Sequence, residues 1–122
     1  MSSLDRPLAG GVLIYDLAAE HDAVLDASIL GRSGKNARTL VKDHGLRVTL
    51  VTVAPGGAIS EHTAEGPISI QVTDGEVLLE VGSDVHHLGS GTFVSLAPGV
   101  AHGVSSRAGG TFLLTVCHSS AG

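Results

Sequence analysis

Histidine is the residue type through which this sequence could do most of its chemistry. Seven histidines occur among 122 residues, and an imidazole can bind a metal ion, accept a hydrogen bond or transfer a proton near neutral pH. His62 and His102 stand apart because each follows closely on a glycine-rich turn. We therefore take these two as the candidate functional histidines. The others are predicted to be surface or packing residues: His21, His44, His86, His87 and His118.

The remaining reactive side chains form no recognisable catalytic set. Cys117 is the single cysteine, so it cannot form an internal disulfide, which suits a reducing compartment. His118 follows it directly and would face the other side of an extended strand, so we do not expect a Cys–His nucleophile pair. The sequence has no Ser-His-Asp signature, no phosphate-cradling loop and no zinc-finger spacing.

Composition excludes several classes of partner. Seven Lys and Arg stand against twelve Asp and Glu, for a formal net charge of −5, so a phosphate backbone or an anionic lipid surface is not attracted. With no Trp, one Tyr and two Phe, the chain lacks platforms on which bases could stack. It shows neither a signal-like start nor a run of about 18 apolar residues. We expect no nucleic acid, no membrane contact and a cytoplasmic location.

Short strands separated by turns are expected to position the two histidines. From residue 37 onward apolar and polar residues alternate, most clearly where Ile68, Ile70 and Val72 share one face. Asp74-Gly75 after this strand predicts a hairpin turn, because glycine readily adopts a positive φ. Similar glycine or proline turns recur about every 8–12 residues, which is typical of a β-sandwich or barrel. The sequence therefore predicts an all-β domain.

Residues 1–36 differ from the rest of the chain. They lack the alternation and predict one short helix, followed by a turn at 31–36. The length of 122 residues fits one compact domain. We interpret this segment as a short N-terminal extension of that domain.

Two segments resemble the conserved motifs of the cupin family. Residues 55–62, Pro-Gly-Gly-Ala-Ile-Ser-Glu-His, followed by residues 71–76, Gln-Val-Thr-Asp-Gly-Glu, are similar to the first motif. Residues 91–102, Gly-Thr-Phe-Val-Ser-Leu-Ala-Pro-Gly-Val-Ala-His, are similar to the second. The resemblance extends over about residues 45–117, most of the chain. It implies the double-stranded β-helix of small RmlC-like cupins, a jelly-roll barrel of two antiparallel sheets.

On this resemblance, residues 1–36 are the extension, residues 37–118 form the barrel and residues 119–122 are a tail. Residues 37–42 could add a strand to the barrel. Segments 47–53 and 111–117 carry apolar residues on both faces, more than one small core requires. Open sheet edges are usually covered or paired, so we expect a homodimer.

The resemblance also implies a set of metal ligands. Metal-binding cupins take His-x-His and then a Glu from the first motif, and a third His from the second. Carried onto this chain, those positions are His62, Ala64, Ile68 and His102. Two of the four have no metal-binding group, so a divalent Fe, Mn, Zn or Ni ion is expected to be held weakly. Glu65, in an expected loop, is the carboxylate that could complete the set.

Three functions stay open on the sequence alone, and whether the chain is an enzyme stays open with them. The leading interpretation is a small-molecule-binding cupin with a mostly apolar pocket. The second is a metal-dependent enzyme of dioxygenase or isomerase type, with His62 and His102 as ligands. The third is a structural or regulatory domain without chemistry. The expected pocket residues are His62, Ala64, Ile68, Ile70, Val72 and His102.

Overall fold

Eight strands and two short helices make up the described part of the chain. The structure is a computed structural model that describes residues 7–118, apart from the side chains of residues 27–29. The helices are α1 (Leu17–Val24) and α2 (Ala27–Ser33). The strands are β1 (Lys35–Asp43), β2 (Leu46–Val53), β3 (Ala58–His62), β4 (Ile68–Val81), β5 (Asp84–Gly89), β6 (Phe93–Leu96), β7 (His102–Ser105) and β8 (Gly110–Cys117).

The strands form one curled sheet, which confirms the predicted all-β domain. The strand order is β1-β2-β8-β4-β7-β3, and β5 and β6 also pair with β4. Each of these pairings is antiparallel. Because the order ends at β1 on one side and at β3 on the other, no described ladder joins those two strands.

The sheet curls around the long strand β4. Its first half pairs with β6 and β8, and its second half pairs with β5 and β7. The hairpin predicted at Asp74-Gly75 is wrong, because β4 continues through both residues. Gly75 has a φ of +67°. The β4–β8 register shifts between Val72 and Asp74, so a β-bulge with Thr73 as its extra residue directly precedes the dipeptide and bends the strand. A Cβ at Gly75 would overlap the carbonyl oxygen of Gly109, so the bend requires glycine.

A packed apolar core fills the space inside the curl. The alternation predicted around residues 68–73 is confirmed, since Ile68 is buried and Ile70 and Val72 are each 1% exposed. Both halves of the sheet contribute to the main core, so it joins them. Its buried members are Val51, Val53, Ile70, Val72, Val77, Leu79, Leu88, Val104 and Phe112.

The N-terminal extension contains two helices, where the sequence predicted one. α2 runs into the segment predicted as a turn at 31–36, and β1 begins at Lys35, ahead of the predicted boundary at residue 37. Asp16 caps α1, because its side chain accepts a hydrogen bond from the backbone N–H of Ala18 at 3.0 Å. The additional strand predicted at 37–42 is confirmed as part of β1.

Helix α1 packs on the outer face of the sheet. Its Val24 forms a second apolar cluster with Leu40 of β1 and Leu50 of β2. Successive strand residues face opposite sides, so Leu50 points away from the main core that its neighbour Val51 enters. The extension is thereby packed onto the barrel domain.

Among the described residues, no helix is both long enough and apolar enough to cross a membrane. The tail predicted at 119–122 lies outside the described residues.

Candidate functional site

The structure brings the two candidate histidines side by side. His62 ends β3 and His102 begins β7, and the two residues are directly paired in the antiparallel ladder. Directly paired residues project from the same face of a sheet. The centroids of the two imidazole rings are 4.3 Å apart and the ring planes are inclined by 57°. The rings are therefore close enough to act on one small ligand.

Each imidazole is oriented by the backbone of its own segment. His62 Nδ1 lies 2.9 Å from the carbonyl oxygen of Ser60, and His102 Nδ1 lies 3.0 Å from the carbonyl oxygen of Val100. A carbonyl oxygen can only accept, so Nδ1 carries the proton and donates in both rings. Each neutral ring then presents Nε2 with a free lone pair, which can accept a hydrogen bond or bind a metal ion.

The two rings differ in exposure. His102 is 2% exposed, whereas His62 is exposed to solvent. Residues 7–118 offer the His102 Nε2 atom no hydrogen-bond partner. Most buried polar side-chain atoms in proteins have a partner. The ring pair thus combines one buried acceptor that needs a partner with one solvent-facing acceptor beside it.

The apolar core begins directly beside the buried ring. Val104 lies two residues after His102 on β7, so both side chains point to the same face of the strand. Val104 belongs to the main core, and Ile59 of β3 is paired with it and packs against that core. The polar atoms of the site therefore stand at the edge of an apolar interior.

The other expected pocket residues lie in three different settings. Ala64 lies two residues beyond His62, where β3 ends, so these two expected pocket residues do not lie on one strand. The carbonyl oxygen of Ala64 accepts a hydrogen bond from the N–H of Gly99 at 2.9 Å, which ties the two motif loops together. Glu65 is exposed in the same loop. The three aliphatic residues, Ile68, Ile70 and Val72, are buried along β4.

Sequence reasoning missed a role for His21, which it predicted to be a surface residue. His21 Nε2 on α1 lies 3.0 Å from the hydroxyl oxygen of Thr111 and 3.8 Å from Asp74 Oδ2. The Thr111 hydroxyl donates to Thr52, so it accepts from His21 Nε2–H. This network fixes α1 to the sheet. No local signal could reveal it, because His21 and Thr111 are 90 residues apart in sequence.

The remaining histidines agree with the sequence interpretation. His44, His86, His87 and His118 are all exposed. Cys117 is a free, exposed thiol.

Comparison with known proteins establishes the family to which this barrel belongs. The family model described as the cupin domain matches residues 49–117. The chain therefore belongs to the cupin domain family, which confirms the family recognised from its motifs. No curated protein matches the chain.

Solved structures show the same jelly-roll fold. A conserved protein of unknown function from Streptococcus pyogenes has 18% identity and a TM-score of 0.73, over 94% of this chain and 95% of its own. An RmlC-like cupin from Shewanella frigidimarina has 22% identity and a TM-score of 0.66, over 70% of this chain and 77% of its own. The polyketide cyclase RemF from Streptomyces resistomycificus has 21% identity and a TM-score of 0.64, over 69% of this chain and 65% of its own. These similarities confirm the predicted cupin barrel.

Membership of the cupin family supports small-molecule binding or a metal-dependent activity, without specifying a substrate.

The residues present do not fit a complete metal centre. Catalytic zinc usually has three protein ligands, and non-haem iron commonly has two His and a carboxylate. His62 and His102 supply two ligands, while Ala64 and Ile68 supply none. Within the part of the chain that the structure describes, no group of three or more His, Cys, Asp or Glu is placed to hold a metal ion.

Proposed function

We propose that this protein binds a small, partly apolar molecule at the end of its barrel where His62 and His102 lie side by side. The observation that carries the proposal is the buried Nε2 atom of His102, for which residues 7–118 supply no hydrogen-bond partner. Leaving a buried acceptor unpaired costs about 1–3 kcal/mol. A ligand that donates a hydrogen bond to this atom would offset that cost.

The ring pair defines the chemistry that the ligand must offer. Both Nδ1–H groups are bonded to carbonyl oxygens, so the neutral rings offer two Nε2 acceptors and no free donor. A fitting ligand has at least one N–H or O–H group directed at the rings. The rest of the ligand is apolar, since the core that includes Val104 begins beside His102. A mostly apolar surface with a few polar anchors is typical of small-molecule sites.

The same two Nε2 lone pairs favour a second candidate function, a metal-dependent cupin of dioxygenase or isomerase type. His62 and His102 would bind the ion, and Glu65 or water would complete its coordination. Two imidazoles hold a divalent ion less firmly than the three or four protein ligands of a resident centre. This candidate therefore ranks second.

A paired set of small fragments tests the leading proposal. Each amide, amine or phenol in the set is matched by its alkylated form, which has no N–H or O–H group. We expect some of the donor fragments to raise the melting temperature of the wild-type protein, and their alkylated partners to have no effect. In His102→Leu the stabilisation should disappear, because the buried acceptor is gone.

A control variant and a metal titration separate the two candidate functions. Glu80→Gln changes an exposed residue of β4 and should leave the fragment response intact. The proposal is contradicted if alkylated fragments stabilise as well as their donor forms, or if His102→Leu keeps the response. In protein treated with a chelator, Zn²⁺ or Ni²⁺ binding with one-to-one stoichiometry and submicromolar affinity would favour the metal-dependent candidate instead.

A further inference from the structure

The barrel has an open cleft on the side where its sheet does not close. β1 and β3 are the last strands at the two ends of the sheet order, and no described strand pairs with both. Between them lies a cavity of about 400 Å³, a volume within the range of small-molecule pockets. It is lined by Ser33, Lys35, Asn36, Ala37, Val51 and Ile59.

The floor of this cleft is apolar and reaches the main core. Val51 of β2 is 7% exposed and belongs to the core, and Ile59 of β3 packs against the same cluster. Ala37 of β1 is paired directly with Val51 and is itself exposed, so it forms the rim of the cleft. An aliphatic group placed here would be removed from water by contact with these three side chains.

The neutral polar side chains of the lining already have partners within the protein. Asn36 Nδ2 donates to the carbonyl oxygen of Val24 at 3.2 Å, and Asn36 Oδ1 accepts from the N–H of Ala37 at 2.9 Å. The Ser33 hydroxyl donates to the carbonyl oxygen of Lys35 at 2.7 Å. The cleft wall therefore offers a ligand little neutral hydrogen bonding from these side chains.

One charge remains at the rim of the cleft. Lys35 is exposed, and its ammonium group forms no ion pair with any residue among 7–118. In a chain of net charge −5, an unpaired cation beside an apolar floor selects for a ligand with a negative group and an aliphatic body. A carboxylate is the simplest such group, because an ammonium ion pairs with it and donates hydrogen bonds to it.

We infer that the cleft between β1 and β3 binds a small aliphatic carboxylate, with the aliphatic chain on Val51 and Ile59 and the carboxylate at Lys35. This site is separate from the His62–His102 pair. His62 lies at the far end of β3 from Ala58, and Ala37 lies near the start of β1. Both sites adjoin the main core through Ile59, but the polar groups that would hold a ligand differ, namely the two imidazoles in one site and Lys35 in the other.

Hexanoate and its neutral analogue hexanamide are suitable probes in a titration followed by ¹H–¹⁵N NMR spectra. Hexanoate should produce saturable shifts at Ala37, Val51 and Ile59. Hexanamide should bind about two- to fivefold more weakly, which is the range for loss of an exposed ion pair. Shifts confined to the His62–His102 pair would contradict the inference.

Two variants of β1 test the role of Lys35. Lys35→Gln should weaken hexanoate binding about two- to fivefold and leave hexanamide binding unchanged. Lys42→Gln, an exposed lysine at the other end of the same strand, is the matched control and should alter neither. Equal weakening by both substitutions would show only a general charge effect and would overturn the inference.

Ala37→Phe tests the cleft itself, since the added ring would occupy it. Hexanoate binding should fall by more than about tenfold, with the folded spectrum preserved because Ala37 is exposed. If Ala37→Phe unfolds the protein, the inference is tested by Lys35→Gln, which should weaken the binding of hexanoate and leave the binding of hexanamide unchanged. Unchanged hexanoate binding in Ala37→Phe would contradict the inference. A change from dimer to monomer in this variant would also contradict it, because the cleft would then be occupied by a second copy of the chain. His102→Leu should leave hexanoate binding intact, so failure here is distinct from failure of the proposed function.

Discussion

The Nδ1 atoms of His62 and His102 are each bonded to a carbonyl oxygen two residues earlier in the chain. These bonds tie the orientation of both rings to the backbone. The sequence identified both residues, since each is the last residue of a segment that resembles a cupin motif. It could not identify the hydrogen bonds, because these depend on the path of the backbone before each strand.

Stability measurements on His102 and Ile70 should separate a site residue from a core residue. His102→Leu removes a buried acceptor that lacks a described partner, but it also removes the Nδ1–H hydrogen bond to the Val100 carbonyl oxygen. Because these two effects oppose each other, the free energy of unfolding should change by less than about 1 kcal/mol. Ile70→Ala leaves a cavity in the core and should lower it by about 2–5 kcal/mol. Urea unfolding measures both values. A loss of more than about 2 kcal/mol in His102→Leu would identify that residue as a structural one.

Restoring the missing imidazole at Ala64 should increase metal affinity. The wild-type protein is expected to retain less than one metal ion per chain after a mild chelator, because Ala64 and Ile68 supply no ligand. Ala64→His adds a third imidazole to the loop that is bonded to Gly99, three residues before His102. It should strengthen Zn²⁺ and Ni²⁺ binding, because three protein ligands are usual for a resident ion and the wild-type pair supplies two. Elemental analysis and calorimetry provide the two readouts. Stoichiometric metal in the wild-type protein would contradict this expectation.

At the scale of elements, β4 shows what a local pattern can and cannot predict. The alternation of Ile68, Ile70 and Val72 is a local property, and it identified the buried face correctly. Asp74-Gly75 fits a hairpin turn and a bend within a continuous strand equally well. The choice depends on the close approach of the chain at Gly109, 34 residues later, where a Cβ at position 75 would meet a carbonyl oxygen. Contacts between distant segments also explain why the role of His21 was missed.

Two glycines with similar backbone angles allow the bend in β4 to be tested. Gly75 has a φ of +67° and Gly82 a φ of +62°, but a Cβ at Gly82 would meet nothing within 4 Å. Gly82→Ala should therefore cost only the left-handed strain, about 1–2 kcal/mol. Gly75→Ala should cost about 1–3 kcal/mol more, because the methyl group also overlaps backbone. Chemical denaturation measures the difference, and equal losses would show that the overlap is relieved by a small shift.

At the scale of the whole molecule, the segment around α1 covers apolar residues on the outer faces of β2 and β8. Leu50 packs under α1, and Leu113 and Tyr15 pack against the same cluster. Val12 and Ile14 remain 79% and 88% exposed on the segment that precedes α1. These two exposed residues are the physical basis for expecting association between chains on this side of the molecule.

Light scattering tests the predicted homodimer. Each chain has a mass of 12.3 kDa, so a particle of twice that mass is expected at micromolar concentration. The value should hold across at least about a tenfold dilution, as it would for a dimer with a submicromolar dissociation constant. A monomer mass throughout this range would rule the dimer out and leave Val12 and Ile14 as ordinary surface residues.

The most direct test of the proposed site is the protonation of its two imidazoles, read from the ring nitrogens by long-range ¹H–¹⁵N NMR. His62→Ala and His102→Leu supply the assignments. For the neutral rings, we expect the proton on Nδ1 and an unprotonated Nε2 in both His62 and His102, with the Nε2 signal of His102 moving when a donor fragment binds. Protons on Nε2 in the two rings, or an Nε2 signal of His102 that no stabilising fragment affects, would contradict the proposal that this pair anchors the ligand.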